Sequence, residues 1–408
     1  MKKTDNLDDI VIVSAVRTPF GRFDGPMRDI PSIDLAVIVM KEVIRRVGIK
    51  PEEVGEINYG GTILAEMALE TDVPARQATL LAGFPPENIS MTLDKACCSS
   101  MTALRLCVRC IKAGEADITM AVGSENMSRT PHLAPGLRKE SKLGHIKLID
   151  CLFELGYTAK GFNPVAVDAG EVALEYGVSR EMQDAWALHS QELYAKAYDE
   201  GKFKIGEELT PVVIPQKKGD PVIIEKDESP RKTSLEALAK LKTIYGSPTV
   251  TAGNAPPMNS GATAILLMTR KKAEEKGLKA IATVVATATA ATEPRGIAVI
   301  PAYTIRKALH AAGLTIDDMR LIEINEAFAA MPLVSTKILA DGSDQKWKEL
   351  QDKTNVNGGA IAIGHPVGAS GARLPMTLAR ELSRRGGGYG VASICGGLAQ
   401  GEAVILKV

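Results

Sequence analysis

The sequence predicts a duplicated α/β fold with one long insertion, on three observations. The first is a pair of strand–loop–helix–strand units. In one, Ile89–Leu93 reads as a strand, Ser99–Ala113 as a helix with Met101, Leu104, Val108 and Ile111 on one face, and Ile118–Gly123 as a returning strand. In the other, a strand-like stretch begins at Val356, Gly364–Gly368 forms a loop, Ala369–Arg385 reads as a helix, and Tyr389–Cys395 returns as a strand. Gly114 stops the first helix and Gly386–Gly388 the second, so Cys97 to Gly114 and Ala369 to Gly386 each span 17 positions. The second observation is small side chains: 37 glycines and only 4% aromatic residues favour close approach of helices and backbone in a layered body. The third is the different texture of Asn126–Thr249, where charged and proline-rich stretches (Pro131–Lys147, Pro211–Lys232) surround one strong helix.

In chain order, Ile10–Val16 reads as a buried strand ended by the loop Arg17–Gly21. Ser32–Val47 places Ile33, Val37, Met40 and Val43–Ile44 on one helical face, and Ile57–Gly61 is a further strand. The strong helix of the insertion starts after Ser179, a good N-cap, with Glu181 and Asp184 in its first turns. The expected organisation is an N-terminal half (1–125 with 250–275), an insertion (126–249) covering a site made by the two halves, and a C-terminal half (276–408).

Composition narrows the function classes. The 408 residues imply two or three packed units, and 45% hydrophobic with 24% charged residues is a globular balance. Lys+Arg and Asp+Glu are 49 each, with no long basic tract, so no nucleic-acid partner is expected. No apolar run has spanning length, so no membrane association is expected. The opening run through Thr18 is neither a secretory h-region nor an Arg-rich transit peptide, and the expected location is cytoplasmic. Six cysteines are too few for a disulfide scaffold, and adjacent Cys97 and Cys98 would make a strained bridge, so reduced thiols are expected.

Several residues can carry chemistry, each with a plainer alternative. Cys97 sits at a strand-to-helix turn, where the helix dipole would lower a thiol pKa; it can equally be a small buried residue. Cys107 and Cys110 form C-x-x-C inside an amphipathic helix with no second ligand pair at zinc spacing, and read as structural. His365, one of five histidines, lies in a glycine-rich loop that admits substrate closely or simply binds an anion; the loop lacks the Lys-Ser/Thr of a phosphate loop. Cys395, at a strand end before Gly396–Gly397, can act in acid–base chemistry or fill space. Asn325, after the apolar run Leu321–Ile324, can orient a water or cap the next helix.

Together these segments resemble the thiolase family, in order and across essentially the whole chain. Arg17–Gly21 is similar to its opening loop, Thr251–Asn254 to the segment before its substrate-contacting loop, and Asn325–Phe328 to its NEAF motif. Gly358–Arg373 matches its GGAIAIGHPxGASGAR motif, and Cys395 stands in its C-terminal cysteine–glycine motif. The resemblance implies a layered αβαβα fold of two similar halves, with a loop domain over the channel for coenzyme A. It implies that His365 activates Cys97 to accept an acyl group from an acyl-CoA, and that Cys395 removes the α-proton of a second acyl-CoA. His365 and a water held by Asn325 would form one oxyanion hole, and the backbone N–H groups of Cys97 and Gly397 a second. The implied reaction is reversible condensation of two acetyl-CoA to acetoacetyl-CoA and CoA, or thiolysis of longer 3-ketoacyl-CoAs. Acyl-CoA and CoA are then substrates, no metal or other cofactor is implied, and a homodimer or homotetramer is the family norm. Arg231 matches an arginine near the CoA nucleotide, and Pro256 falls in the loop along the CoA arm.

The sequence departs from the family pattern at Asp94, usually Asn, and at Cys98 and Ser100, usually Gly. Pro256 replaces a common Ser, Leu398 and Ala399 replace glycines, and Gly161–Asp168 replaces a loop that often carries a histidine. These changes bear on the acyl pocket rather than on the four catalytic positions. A decarboxylating ketoacyl synthase would use two histidines with the cysteine, whereas here the third group is Cys395. A non-catalytic acyl-CoA-binding partner would need none of the reactive groups at Cys97, Asn325, His365 and Cys395.

Overall fold

The computed structural model describes residues 6, 8–69, 72–137, 143–156 and 160–408; part of the proline-rich stretch 131–147 lies outside them. Its N-terminal half runs β1 (Ile10–Arg17), α1 (Ser32–Arg45), β2 (Glu56–Gly60), α2 (Pro74–Leu81), β3 (Ile89–Leu93), α3 (Ser99–Ala113) and β4 (Ile118–Asn126). The insertion holds α4 (Val165–Glu175) and α5 (Arg180–Asp199), after which β5 (Asn259–Thr269) returns to the first half. The C-terminal half runs β6 (Ala282–Ala291), α6 (Ile300–Ala312), β7 (Met319–Ile324), α7 (Ala330–Leu339), α8 (Val367–Arg384), β8 (Tyr389–Gly396) and β9 (Gln400–Lys407).

The duplication is visible in the strand order β7-β8-β9-β6-β1-β5-β4-β2-β3. On one side β2 pairs parallel with β4, followed by antiparallel β5 and β1. On the other, β7 pairs parallel with β8, followed by antiparallel β9 and β6. Within the sheet, the described strands of the two halves pair at Val11 opposite Thr283 and Ile12 opposite Ala282.

Strand alternation sorts the core into layers. Val11, Val13, Ile57 and Leu266 face α1 in one cluster. Ile12, Ile265 and Leu267 of the first half share a second cluster with Ala392, Ile394 and Val404 of the other, and α3 and α8 fill the space between. Val391 and Ile405 face α6 and α7 in a third. The result is αβαβα, with the two matched helices as its central layer.

Most expected elements stand within one to three residues of their positions, and α5 is capped as expected, Ser179 accepting from the Met182 N–H. Two expectations are corrected. Val356 begins no strand: Thr354 makes only an isolated bridge to Ile322, and a one-turn helix at Ala360–Ile363 follows. The loop read across Gly161–Asp168 turns into α4 at Val165, because Ala166, Ala169, Val172 and Ala173 bury one helical face against the C-terminal half.

The insertion is fastened by buried polar contacts. Trp186 Nε1 and Ser190 Oγ of α5 donate to the two oxygens of Glu326 at 2.9 and 2.8 Å. Arg17, wholly buried, donates to Asp227 at 2.6 and 2.9 Å and to Glu208 at 2.5 Å.

Candidate active site

The turn that carries Cys97 is built by its own hydrogen bonds. Asp94 Oδ1 accepts the Ala96 N–H at 2.8 Å, Ser99 Oγ accepts the Lys95 N–H at 2.8 Å, and Thr62 Oγ1 donates to the Ala96 carbonyl at 3.0 Å. Ala96 sits at φ 49°, the left-handed region that a non-glycine residue enters at a cost. This sharp step sets Cys97 just ahead of α3, packed against the cluster of Ile63, Met127 and Val367.

The glycine loop brings His365 to it. His365 Nε2 lies 3.3 Å from Cys97 Sγ, and its Nδ1 lies 2.6 Å from Ser370 Oγ. Ser370 spends its own proton on the Pro366 carbonyl at 2.9 Å. Its oxygen therefore accepts Nδ1–H, which leaves Nε2 as the unprotonated nitrogen facing the thiol. The loop backbone is held by Asn259, whose Oδ1 accepts the His365 N–H at 2.8 Å. Gly364, at φ 112°, admits that contact; a Cβ there would stand 2.7 Å from the Asn259 side chain.

Electrostatics correct one expectation. The thiol of Cys97 is raised, not lowered: burial pushes it up to about 12, assisted by the negative charges of Glu125 and Asp94. Burial, and then Arg373, pushes His365 down to about 3. Loss of solvation outweighs the helix terminus, and the resting pair is a neutral thiol facing a neutral imidazole. Glu125, raised by burial to about 8, accepts the backbone N–H groups of Thr62, Ile63 and Gly368, tying the loops of the two halves together.

Cys395 and Gly397 arrive on the end of β8. The Cys395 thiol is fully buried and held well above its ordinary pKa, by burial first and then by Cys97. Gly396 shows how closely this strand approaches the nucleophile turn: a Cβ on it would stand 2.8 Å from Cys98 Sγ and 2.9 Å from the Lys95 carbonyl. Gly397 follows, buried, before Leu398 and Ala399 at φ 55° and 56°.

Asn325 leaves β7 with its N–H donated to the Ser393 carbonyl at 3.0 Å. It does not cap α7, whose N-cap position is Ala329. Its side chain is wholly buried, with neither Oδ1 nor Nδ2 hydrogen-bonded to another residue.

The two remaining candidates lie outside this group. Arg231 lines a cleft of about 970 Å³ with Arg22, Lys226 and Lys232, its Nη2 donating to the Ala252 carbonyl at 3.0 Å. Pro256 is half-buried, two residues before Met258, which lines an apolar pocket of about 410 Å³ with Met127, Leu155 and Phe328. Cys107 is buried within α3, and Cys110 donates to Glu56 Oε2 at 3.3 Å, near Glu115. Sequence reasoning missed Ser370, Asn259 and Glu125; Ser370 stood inside the quoted glycine motif, five residues from His365, but only the fold shows its hydroxyl turning back.

Residues 10–271 match the family model for the thiolase N-terminal domain and residues 278–408 that for the C-terminal domain. The acetyl-CoA acetyltransferase of Syntrophomonas wolfei is 42% identical over 98% of this chain and 99% of its own. That of Chromobacterium violaceum is 41% identical, with the same coverage. Among solved structures, the Bacillus anthracis acetyl-CoA acetyltransferase aligns with a TM-score of 0.91 at 34% identity, over 99% of this chain and 100% of that one. Human mitochondrial 3-ketoacyl-CoA thiolase aligns at 0.90 and 34% identity, over 98% and 99%.

Proposed function

The chain belongs to the thiolase family and is an acyltransferase, and from that premise we propose that it condenses two acetyl-CoA reversibly to acetoacetyl-CoA and CoA through an acyl-Cys97 intermediate. The observation that carries this reading is Cys97 Sγ 3.3 Å from His365 Nε2, with unpartnered Asn325 and the raised thiol of Cys395.

Both thiols rest protonated, and that state closes the proton bookkeeping. His365 Nε2 takes the Cys97 proton as Sγ attacks the thioester carbonyl of the first acetyl-CoA. The C–S bond to CoA breaks, and the departing thiolate takes the Cys395 proton to leave as CoA. The acetyl group is now on Cys97, His365 is an imidazolium, and Cys395 is a thiolate. Cys395 then removes the α-proton of the second acetyl-CoA, while His365 and a water on Asn325 donate to its enolate oxygen. The carbanion forms a C–C bond to the acyl carbonyl, whose developing oxyanion accepts the backbone N–H groups of Cys97 and Gly397. Collapse releases acetoacetyl-CoA, and Cys97 recovers its proton from His365. The cycle balances on these residues and CoA thioesters, without calling on another cofactor.

The nucleotide end of CoA is assigned to the cleft at Arg231, where Arg22, Lys226, Arg231 and Lys232 would meet the phosphate groups among the carboxylates Glu192, Asp199, Asp227 and Glu228 of the same lining, with Pro256 beside the pantetheine arm. A homodimer or homotetramer is part of the same reading: Ile89 and Met91 on the edge strand β3, with Val73 and Leu81 of the adjoining segment, are 46–65% exposed, and a second copy covers them. Among the described residues no helix is long and apolar enough to cross a membrane. All six cysteines are free, which suits a reducing, cytoplasmic setting.

The test is intact mass after incubation with acetyl-CoA, with Cys97→Ala as control, alongside CoA-dependent loss of acetoacetyl-CoA. One acetyl adduct, absent from the variant, and turnover of acetoacetyl-CoA are expected. A wild-type protein that acquires no acyl group would overturn the reading.

A further inference from the structure

A cleft of about 820 Å³ opens near the C-terminal end of α8, away from the His365 loop that precedes the helix. Arg380, on its wall, lies about 20 Å along the helix from Val367 at 1.5 Å per residue. The cleft shares no lining residue with the one at Arg231. Its walls come from three parts of the fold. Arg270 follows β5 of the first half, and Lys279 leads into β6 where the halves pair. Arg380 and Arg384 come from α8 and Lys407 from β9, while Glu207 belongs to the insertion.

Charge in this cleft is one-sided. Five cationic side chains line it, against one carboxylate side chain, Glu207, and the carboxylate of Val408. Part of the excess is accounted for within the chain. Arg384 pairs with Glu207 Oε2 at 3.1 Å and with Glu381 Oε2 at 3.4 Å, at a helix end where a cation is favoured. Arg380 has no such partner. Its Nη2 donates to two carbonyls, Ala15 at 3.0 Å and Glu207 at 2.5 Å, and its Nε is buried without a hydrogen bond. No carboxylate of the described residues pairs with it, and burial pushes the guanidinium below its ordinary pKa. A guanidinium stays charged all the same, and one taken from water without a counter-ion is costly. An anion in the cleft would supply that counter-charge.

We propose that this cleft binds a diphosphate-bearing anion, inorganic pyrophosphate or the diphosphate of a nucleotide, between the two halves and the insertion. A diphosphate matches the excess of positive charge, which a single carboxylate would leave largely uncompensated, and arginine forks take phosphoryl oxygens two at a time. The volume also leaves room for the remainder of a nucleotide. Binding here requires nothing of Cys97, so it stands or falls apart from the acyl-transfer reading.

The experiment measures binding of pyrophosphate, ADP and adenosine to the full chain by equilibrium dialysis at about 0.15 M salt, in wild type, Arg380→Gln, Lys279→Glu and Arg231→Gln. The expected result is a saturable site for pyrophosphate and ADP, absent for adenosine, that survives Arg231→Gln. Arg380→Gln weakens it about tenfold or more, as for the loss of a charge-assisted pair. Lys279 is exposed, so reversing its charge spares the fold, and it weakens binding severalfold. ADP held more tightly than pyrophosphate assigns the site to nucleotides and equal affinity assigns it to the inorganic anion; both sustain the proposal. No saturable binding up to roughly 10 mM overturns it. So does a site that Arg231→Gln abolishes, or an affinity that Lys279→Glu leaves unmoved. If Arg380→Gln does not fold, Lys279→Glu decides on its own.

Discussion

Replacing Ser370 by alanine isolates the tautomer of His365 from every other feature of the site. Ser370 Oγ lies 2.6 Å from Nδ1 and gives its proton to the Pro366 carbonyl, so it can only accept from the ring. When Nε2 takes the Cys97 proton, this bond becomes charge-assisted, and such bonds contribute about 1.5–3 kcal/mol. If the full value is realised in the transition state for acylation, its loss slows that step roughly 10- to 160-fold. The alanine variant also frees the ring to take the other tautomer, with Nε2–H facing the thiol and no base present, which pushes in the same direction. The assay is the rate of Cys97 acetylation by saturating acetyl-CoA in rapid-quench mass measurements across pH 6–9, with Ser370→Thr as the conservative restoration. A purely structural role would leave threonine as slow as alanine. An alanine variant acetylated within twofold of wild type would refute both the tautomer assignment and the use of Nε2 as the base.

Other outcomes follow from the same geometry. With Cys97 raised to about 12 and His365 lowered to about 3, alkylation of Cys97 by iodoacetamide in the free enzyme should climb about tenfold per pH unit from 7 to 10; a plateau across pH 6–9 would mark a thiolate–imidazolium pair and contradict the neutral resting state. Asp94→Asn keeps the acceptor for the Ala96 N–H but removes a negative charge that disfavours the thiolate, so the Cys97 pKa falls and alkylation at pH 8 quickens; an unchanged or slower rate would remove Asp94 from the electrostatics of the thiol. Asn325→Ala should leave acetylation of Cys97 nearly intact while condensation drops roughly 100- to 1000-fold, as for loss of one oxyanion donor; equal losses in both steps would assign Asn325 a structural role. Asp227→Ala leaves wholly buried Arg17 with Glu208 as its remaining carboxylate, and urea unfolding should report a loss of about 3–5 kcal/mol; a loss under 1 kcal/mol would show the insertion to be fastened elsewhere.

What was legible in the sequence divides along a physical line. Matched helices, glycine stops and the Ser179 cap are local signals, fixed by periodicity and by hydrogen bonds within a few residues, and α3, α5 and α8 stand close to where those signals put them. The strand expected from Val356 failed because an apolar residue beside glycines fits a strand end as well as a turn, and only the neighbours decide. The helix at Val165–Glu175 went unread because its buried face is made of alanines and valines against the C-terminal half, a weak stripe until that half is present. The reactive positions were legible as residue types, but their charge states were not. A helix terminus is visible in sequence and argues for a lowered thiol pKa. The burial that reverses it comes with the cluster of Ile63, Met127 and Val367, which approach from three separated segments. Ser370 illustrates the same limit at shorter range: five residues from His365, it shares a motif with it, yet the direction of one hydroxyl proton turns that motif from a phosphate cradle into a base. The chemistry of this site therefore lies less in which groups are present than in the loss of solvent between them. That loss keeps Cys97 and Cys395 protonated until a thioester arrives to take their protons in turn.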